Sequence, residues 1–365
     1  MEQRQVTKVR FDGQHVYAGI DMGKRSWKIS VYLGLAFHKR FSQPPDPDIL
    51  ADYLERHFPG ATYHTVYEAG YFGFWAHRAL TRRGVHSMVI HAADVPTTDK
   101  QRRRKNDRVD ADKLAWALAT GGLTAIYTPE RVAEEDRMLL RMRARFTQKQ
   151  TRCKCQIKAC LRQFGEQVPE DVGDRYWSRA YITWLESRMF EHDSGRSAFQ
   201  ALLKELLGLR AAIVGLTRQI RLLARTERYR RRVELLRTVS GVSLVSAMTF
   251  LTEIVSLERF KDLSHLLGYI GLVPGENSTG DTEQETGLFP RRNAALRYIL
   301  IECAWIAQRE DPVLLQAFTA YAKRMPKTMA IIPIARKLVA RMRWCLKHDE
   351  PYATGVLSSG TQWAA

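Results

Sequence analysis

Val16-Tyr17-Ala18-Gly19-Ile20-Asp21 is an apolar run that ends on an acid. Two alternating stretches follow at short gaps, Trp27-Lys28-Ile29-Ser30-Val31-Tyr32-Leu33 and Phe37-His38-Lys39-Arg40-Phe41. A period of two marks strands, and connections this short join antiparallel neighbours, so residues 16–42 read as a meander. Next come Ile49, Leu50, Tyr53, Leu54 and Phe58 at helical spacing, and then the β-rich run Tyr63-His64-Thr65-Val66-Tyr67-Glu68. A helix over 74–83 stops at Gly84, His86-Ser87-Met88-Val89-Ile90 reads as a strand, and a helix over 107–120 stops at Gly121-Gly122.

Three strands, then α, β, α, β, α is the order of an RNase H-like fold, here an α/β domain over residues 1–128. That fold carries acids at the end of its first strand and on nearby elements. Asp21 follows Ile20 directly, and Glu68 follows Thr65-Val66-Tyr67. In Lys105-Asn106-Asp107-Arg108-Val109-Asp110-Ala111 two acids stand three residues apart at a helix start, where i and i+3 share a face. Asp21, Glu68, Asp107 and Asp110 thus offer oxygen donors of the kind that hard Mg²⁺ takes, as one or two ions, with Mn²⁺ as a substitute. Asp112, about 200° around the helix from Asp110, is expected to be solvated. The run Arg102, Arg103, Arg104 and Lys105 just before the pair suits a polyanionic substrate.

Composition agrees: 57 Lys+Arg against 39 Asp+Glu give +18 over 365 residues, which calls for nucleic acid or an anionic membrane surface. No stretch approaches the roughly 20 apolar residues that span a bilayer, and Met1-Glu2-Gln3-Arg4-Gln5 lacks a signal-peptide core, so no membrane partner and a cytoplasmic, nucleoid-associated location in a prokaryote are expected. The cysteines Cys153, Cys155, Cys160, Cys303 and Cys345 have no paired CxxC spacing and read as reduced structural thiols.

Residues 129–233 read as a basic antiparallel coiled-coil arm. Its first helix, over 131–164, has no acid between Arg137 and Gly165, yet Arg141, Arg145, Lys149 and Arg152 form one row and Lys154, Lys158 and Arg162 another. Without acids it forgoes every i,i+4 ion pair, which favours phosphate contact over a plain solvated face. The second helix, over 197–233, repeats Leu202, Leu206, Leu209, Ile213, Leu216, Ile220 and Leu223 at spacings of 3 and 4, and ends on the basic Arg228, Arg230 and Arg231. Residues 234–352 read as a mainly helical domain, and 353–365 as a disordered tail. Thr238-Val239-Ser240-Gly241-Val242-Ser243 resembles a helix-hairpin-helix turn whose amides could hold a phosphate. Residues 268–281 read as a loop, followed by helices over 294–308 and 329–346.

The blocks Ala18-Gly19-Ile20-Asp21-Met22-Gly23-Lys24, Val66-Tyr67-Glu68-Ala69-Gly70-Tyr71-Phe72-Gly73 and Lys105 to Ala111 resemble the RuvC-like DEDD domain of insertion-sequence 110 family transposases. Ser240-Gly241-Val242, Arg259-Phe260, Tyr269-Ile270-Gly271-Leu272-Val273-Pro274, Ser278-Thr279-Gly280 and Asn293-Ala294-Ala295-Leu296-Arg297 resemble, in order, that family's C-terminal transposase domain. The resemblance implies a recombinase that uses a bridge RNA to pair with donor and target DNA, and a serine that becomes covalently linked to DNA phosphate. It carries the acid set onto Asp21, Glu68, Asp107 and Asp110. The serine falls on Ser278, with Thr279 as the alternative nucleophile, and Arg297 joins the nucleic-acid contacts. Arg292 stands where the family usually has glycine. A homo-oligomer, dimer or tetramer, with a composite active site follows from the same resemblance and the coil. Two other readings stay open: a metal-dependent Holliday-junction resolvase or nuclease that cuts by water, and a nucleic-acid-binding assembly factor without catalysis.

Overall fold

The computed structural model describes residues 9–94, 107–170, 172, 177–279, 282–288 and 292–353; for 107–109, 275–279 and 282–287 it describes the backbone alone. The chain divides into two compact units, Met1–Thr128 and Pro129–Ala365.

The first unit runs β1 (His15–Met22), β2 (Trp27–Leu33), β3 (Ala36–Gln43), α1 (Pro47–His57), β4 (Thr62–Glu68), α2 (Trp75–Arg82), β5 (His86–Ile90) and α3 (Asp107–Ala119). The sheet order is β3-β2-β1-β4-β5. β1, β2 and β3 are antiparallel, and β4 and β5 run parallel to β1, the element order and pairing of an RNase H-like domain. Strand alternation sorts the two faces. Val16, Ala18, Ile20 and Tyr67 join Leu50 and Leu54 of α1 and Leu80 of α2 in one core, while Val66 and Ile90 pack with Leu114 of α3 on the other face. α1 starts where Asp46 caps the Asp48 amide (2.8 Å) and Pro47 presets the first turn. Arg83, after α2, reaches Asp48, Asp52 and Glu55 of α1.

A row of histidines crosses the sheet where β1, β4 and β5 begin. His15 Nδ1 lies 3.0 Å from His64 Nε2, and the His64 ring stacks on Tyr17 and on His86. Burial first, then the neighbouring His86 and His15, holds His64 below the ordinary histidine pKa.

The second unit is built from α4 (Arg131–Gln163), α5 (Arg179–Glu186), α6 (Asp193–Leu223), α7 (Arg230–Arg237), α8 (Leu244–Ile254), α9 (Leu263–Ile270), the hairpin β6 (Pro274–Thr279) and β7 (Thr282–Leu288), α10 (Ala294–Glu310), α11 (Pro312–Ala322) and α12 (Lys327–His348). α4 and α6 run antiparallel. Leu140 shares a core with Ile220, Arg143 Nε donates to Thr217 Oγ1 (2.8 Å), and Cys153 Sγ donates to Leu202 O (3.4 Å). At the far end Ile157 and Leu161, Tyr181 and Leu185 of α5, and Phe199 and Leu203 close a separate small core. All five cysteines are free thiols.

Three expectations change here. The helix expected over 197–233 breaks at Leu223: Thr226 Oγ1 takes the Leu223 carbonyl (2.7 Å), and Tyr229 turns inward, donating its hydroxyl to Asp136 (2.8 Å), before α7 begins. The loop expected over 268–281 is instead the end of α9 followed by a β hairpin, whose polar strands lack the apolar alternation by which strands are read. In the turn between α7 and α8 three successive amides are engaged within the fold. Gly241 N donates to Glu310 Oε2 (3.2 Å), Val242 N to Val239 O (3.1 Å) and Ser243 N to Ser246 Oγ (2.8 Å). A side chain at Gly241 would run into the backbone of Cys303 and Ala307 of α10.

α8 ends in a tight γ-turn. Val255 has φ 64° and ψ −63°, and Ser256 N donates to Ile254 O (2.8 Å). This is a strained conformation for a β-branched residue, costing roughly 1–3 kcal/mol. Among the described residues no helix is long and apolar enough to cross a membrane.

A histidine held below its unfolded pKa contributes stability that is full above about pH 6.5 and is lost as pH falls through that value toward the folded pKa. The first unit is therefore expected to melt at lower temperature at pH 5.5 than at pH 7.5, with a smaller difference in His64→Gln. Calorimetry of the full chain at the two pH values checks this, and an unchanged difference in the variant counts against the histidine row.

Candidate active site

Asp21 and Glu68 come together because β1 and β4 are parallel neighbours in register. Ile20 pairs with Tyr67, so the next residue on each strand, Asp21 and Glu68, stands side by side at the carboxyl edge of the sheet. The side chains of Ile20 and Tyr67 lie in the core beneath α1 and α2. Alternation therefore turns Asp21 and Glu68 to the opposite face, the one that α3 covers.

α3 lies against β1 without a side chain between them. A Cβ at Gly19 would collide with Ala111 O and Ala115 N. The direction of α3 is fixed by two contacts: Asp112 meets Ser30, which pairs with Gly19, and Trp116 meets Tyr32, which pairs with Tyr17. Going toward its C-terminus, α3 thus descends β1, and its first turn stands over the edge that carries Asp21 and Glu68. Asp107 is its first residue. Asp110, one turn before Leu114, has its side chain 34% exposed with Lys113 Nζ 3.8 Å from Oδ1.

Asp112 is not solvated. Its Oδ1 accepts from Ser30 Oγ (2.8 Å) and the Tyr32 hydroxyl (3.2 Å), and its Oδ2 from Arg40 (2.7 Å). Burial alone would raise its pKa, but the bonds from Arg40 and Ser30 outweigh that and hold the carboxyl below the ordinary aspartate value. Asp112 clamps α3 onto β2 and β3, a positioning role that helical angles alone do not reveal.

Among the described residues no three His, Cys, Asp or Glu side chains are grouped closely enough to hold a metal ion. The side chain of Asp107 lies outside them, as do Arg102, Arg103, Arg104 and Lys105. The donors that share the edge and face are all carboxylates, a set that fits a hard divalent cation and not a thiolate-seeking metal.

In the second unit Ser278 pairs with Glu283 and Thr279 with Thr282, so both lie on β6 at the turn end of the hairpin. Near the hairpin's base is an acid that sequence reasoning missed. Glu253 is 1% exposed and receives Arg141 Nε (2.6 Å) and NH2 (2.8 Å), with Arg137 3.6 Å away and Asn293 Nδ2 at 2.8 Å. Asn293 also caps α10 by accepting from Leu296 N (3.1 Å), and its own amide donates to Tyr269 O (3.0 Å). Asn293 thereby ties the chain returning from the hairpin to α8 and α9. The signal available in the sequence was one acid in the otherwise uncharged stretch Leu244–Ile254.

Arg141, read as a phosphate contact, is instead committed to Glu253. Arg228 pairs with Asp136 and Arg231 with Asp349. Arg145, Lys149, Arg152 and Arg162 are exposed on α4, while Lys154 sits over the Trp177 ring. Lys158 is half-buried, and Arg230 is exposed. Arg297 lies against Gly271, and burial first, then the charge of Arg292, lowers its pKa.

Residues 18–166 match a family model described as "Transposase", of the DEDD type of insertion sequence IS110. Residues 233–319 match the model described as "Transposase IS116/IS110/IS902 family". A Sinorhizobium fredii protein, y4qE, whose name marks it as a candidate transposase, is 31% identical over 66% of this chain. That match covers 57% of the relative's own length, so the chain spans little more than half of it. The transposase for insertion sequence element IS1111A of Coxiella burnetii is 23% identical over 76% of each chain. The transposase for element IS1533 of Leptospira borgpetersenii is 24% identical over 52% of this chain and 55% of its own.

Gly19→Ala is expected to lower stability by about 1–3 kcal/mol because the backbone of α3 must yield. Asp112→Asn should lower it by about 1–2 kcal/mol by weakening charge-assisted bonds. Thermal unfolding followed by circular dichroism checks both, and unchanged melting of Gly19→Ala would show that α3 does not rest on β1. With both halves of its sequence matched, in order, by models of one family, the chain belongs to the IS110 family of transposases.

Proposed function

We propose that this chain is a DNA transposase or recombinase that cuts and rejoins strands by phosphoryl transfer under the guidance of a structured RNA. The observation that carries the reading is the shared edge and face of Asp21 and Glu68 with the first turn of α3 above them, in a chain of this family. Asp21, Glu68, Asp107 and Asp110 would hold one or two divalent ions, Mg²⁺ or Mn²⁺, through carboxylate oxygens alone. Such ions, when bound, activate an attacking hydroxyl and stabilise a departing oxygen.

Ser278 is the nucleophile we assign, ahead of Thr279, because its primary hydroxyl meets less crowding at phosphorus. Its hydroxyl loses a proton, an Oγ–P bond forms as the P–O3′ bond breaks, and the freed 3′ oxygen takes up a proton. Attack by the 3′ hydroxyl of the exchanged strand reverses these changes and releases the serine, so phosphodiester bonds are conserved. The exposed cations of α4, with Arg102 to Lys105, would contact RNA and DNA backbones. A homodimer or tetramer is the expected working form.

The test uses a DNA strand carrying the element end, Mg²⁺ and denaturing electrophoresis. A protein–DNA adduct is expected, absent in Ser278→Ala, and Asp21→Asn should slow cleavage on the order of 10³-fold or more. A Mg²⁺-dependent cut without any adduct would identify a nuclease that uses water. An adduct lost only in Thr279→Ala would move the nucleophile by one residue. Full cleavage by Asp21→Asn would remove the acid site from the reading.

A further inference from the structure

The second unit holds a cleft of about 580 Å³ that the chemistry above does not use. Its walls come from α7, from the end of α8 with the turn after it, and from the last turns of α12. Arg232, Lys261, Arg343 and Lys347 line it, against one acid, Glu258. Lys261, Arg343 and Lys347 have no ion-pair partner among the described residues. Beneath these charges the lining is apolar, with Leu251, Leu257 and Leu346 beside the Phe260 ring.

The C-terminus of a helix ordinarily repels an anion, and α8 ends here. Its last carbonyls are already engaged. Leu251 O accepts from the Val255 amide (2.8 Å), Thr252 O from Arg137 Nε (3.1 Å) and Glu253 O from the Tyr269 hydroxyl (3.3 Å). Ile254 O accepts from Arg259 (3.3 Å) as well as from Ser256 N, and Val255 O from Arg232 at 3.5 Å. Three guanidiniums thus cancel the negative end of the dipole and leave the cleft cationic. The wall between them is the strained γ-turn at Val255, the kind of backbone outlier that collects at ligand sites.

We propose that this cleft takes one nucleotide of a single nucleic-acid strand, turned out of its stack. The base lies on the apolar floor, and the phosphate lies among Lys261, Arg343 and Lys347. The volume falls in the roughly 300–1,000 Å³ range of small-ligand sites, enough for a nucleotide and too little for a duplex. A bare phosphate would have no use for the apolar floor, whereas a base has two apolar faces to bury. The inference rests on the reading of the chain as a strand-exchanging enzyme, since exchange exposes unpaired nucleotides of DNA and of a guide RNA alike.

The experiment measures binding in EDTA, so that no strand is cut, with oligonucleotides carrying 2-aminopurine, whose fluorescence rises when it leaves the stack. Single-stranded DNA, single-stranded RNA of the same sequence and a blunt DNA duplex serve as probes. The unsubstituted protein should brighten a single strand and not the duplex, and the brighter of the DNA and RNA arms names the source. Arg343→Gln with Lys347→Gln should weaken single-strand binding roughly ten-fold or more and shrink the slope of log K against log salt by about 0.7, one phosphate contact's worth for a single strand. Leu257→Trp, which fills the floor and keeps every charge, should remove the brightening with the salt slope intact. Lys261→Gln, in the exposed turn, repeats the charge test should the α12 variant not fold. Unchanged single-strand binding and slope in the charge variants would overturn the proposal, as would an equal loss on duplex and single strand, which marks a general cationic surface. Binding in EDTA is read without the chemistry of the acid site, so a failure of that site in the cleavage assay and a failure of the cleft are read separately.

Discussion

Position 19 has room for a hydrogen and nothing larger, and the first unit is organised by that constraint. Because β1 meets α3 backbone to backbone, the helix can neither lift nor slide without opening a gap in the sheet's second face. From this contact strand and helix rise together: two residues up β1, about 6.6 Å, lead to Asp21, and one turn back along α3, about 5.4 Å, leads to Asp110. Asp112 adds what a single contact cannot, a fixed rotation, by holding α3 to Ser30, Tyr32 and Arg40 across two strands. The acid edge is thus a consequence of packing before it is a matter of chemistry.

The second unit depends on a buried charge. An isolated carboxylate at the burial of Glu253 would neutralise itself or unfold its surroundings. Arg141 grips it with two bonds, Arg137 stands close by, and Asn293 donates a third. The four residues come from α4, α8 and the start of α10, and Tyr269 of α9 bonds both Asn293 and the Glu253 carbonyl. Removing one partner leaves the others uncompensated, so these elements hold or fail together. The hairpin that carries Ser278 starts just after Tyr269 and returns to Asn293, and both its ends are therefore anchored in one network.

How much of this the sequence displayed depends on how far apart the interacting groups are. Strands such as Trp27–Leu33 and the apolar faces of the helices show themselves within ten residues, and the acids at the strand ends follow from them. Asp311-Pro312 was equally local: Asp311 caps the Val313 and Leu314 amides and Pro312 opens α11, a signature present in the sequence although no helix was assigned there. The break after Leu223 was hidden because its causes are a hydroxyl on a nearby carbonyl and a tyrosine drawn to Asp136, neither of which disturbs the spacing of leucines. Arg141 was misread for a related reason. The absence of acids along α4 excludes partners four residues away, and its actual partner is 112 residues away on another helix.

That misreading bears on what a surplus of charge means. Pairing inside the fold takes acids and bases together, as Arg40 with Asp112, Arg228 with Asp136 and Arg341 with Asp311 show. Some acids serve two arginines, as Glu253 does, and some arginines serve several acids, as Arg83 does. A matched pair leaves the net charge of +18 untouched, because it cancels within itself. Every acid sequestered in this way is one fewer to offset the cations still open to solvent, so internal pairing raises the ratio of base to acid on what remains. The composition therefore gives the amount of charge available to a polyanion, and only the partners give its location: on α4 at Arg145, Lys149, Arg152 and Arg162, and in the second unit's cleft at Lys261, Arg343 and Lys347.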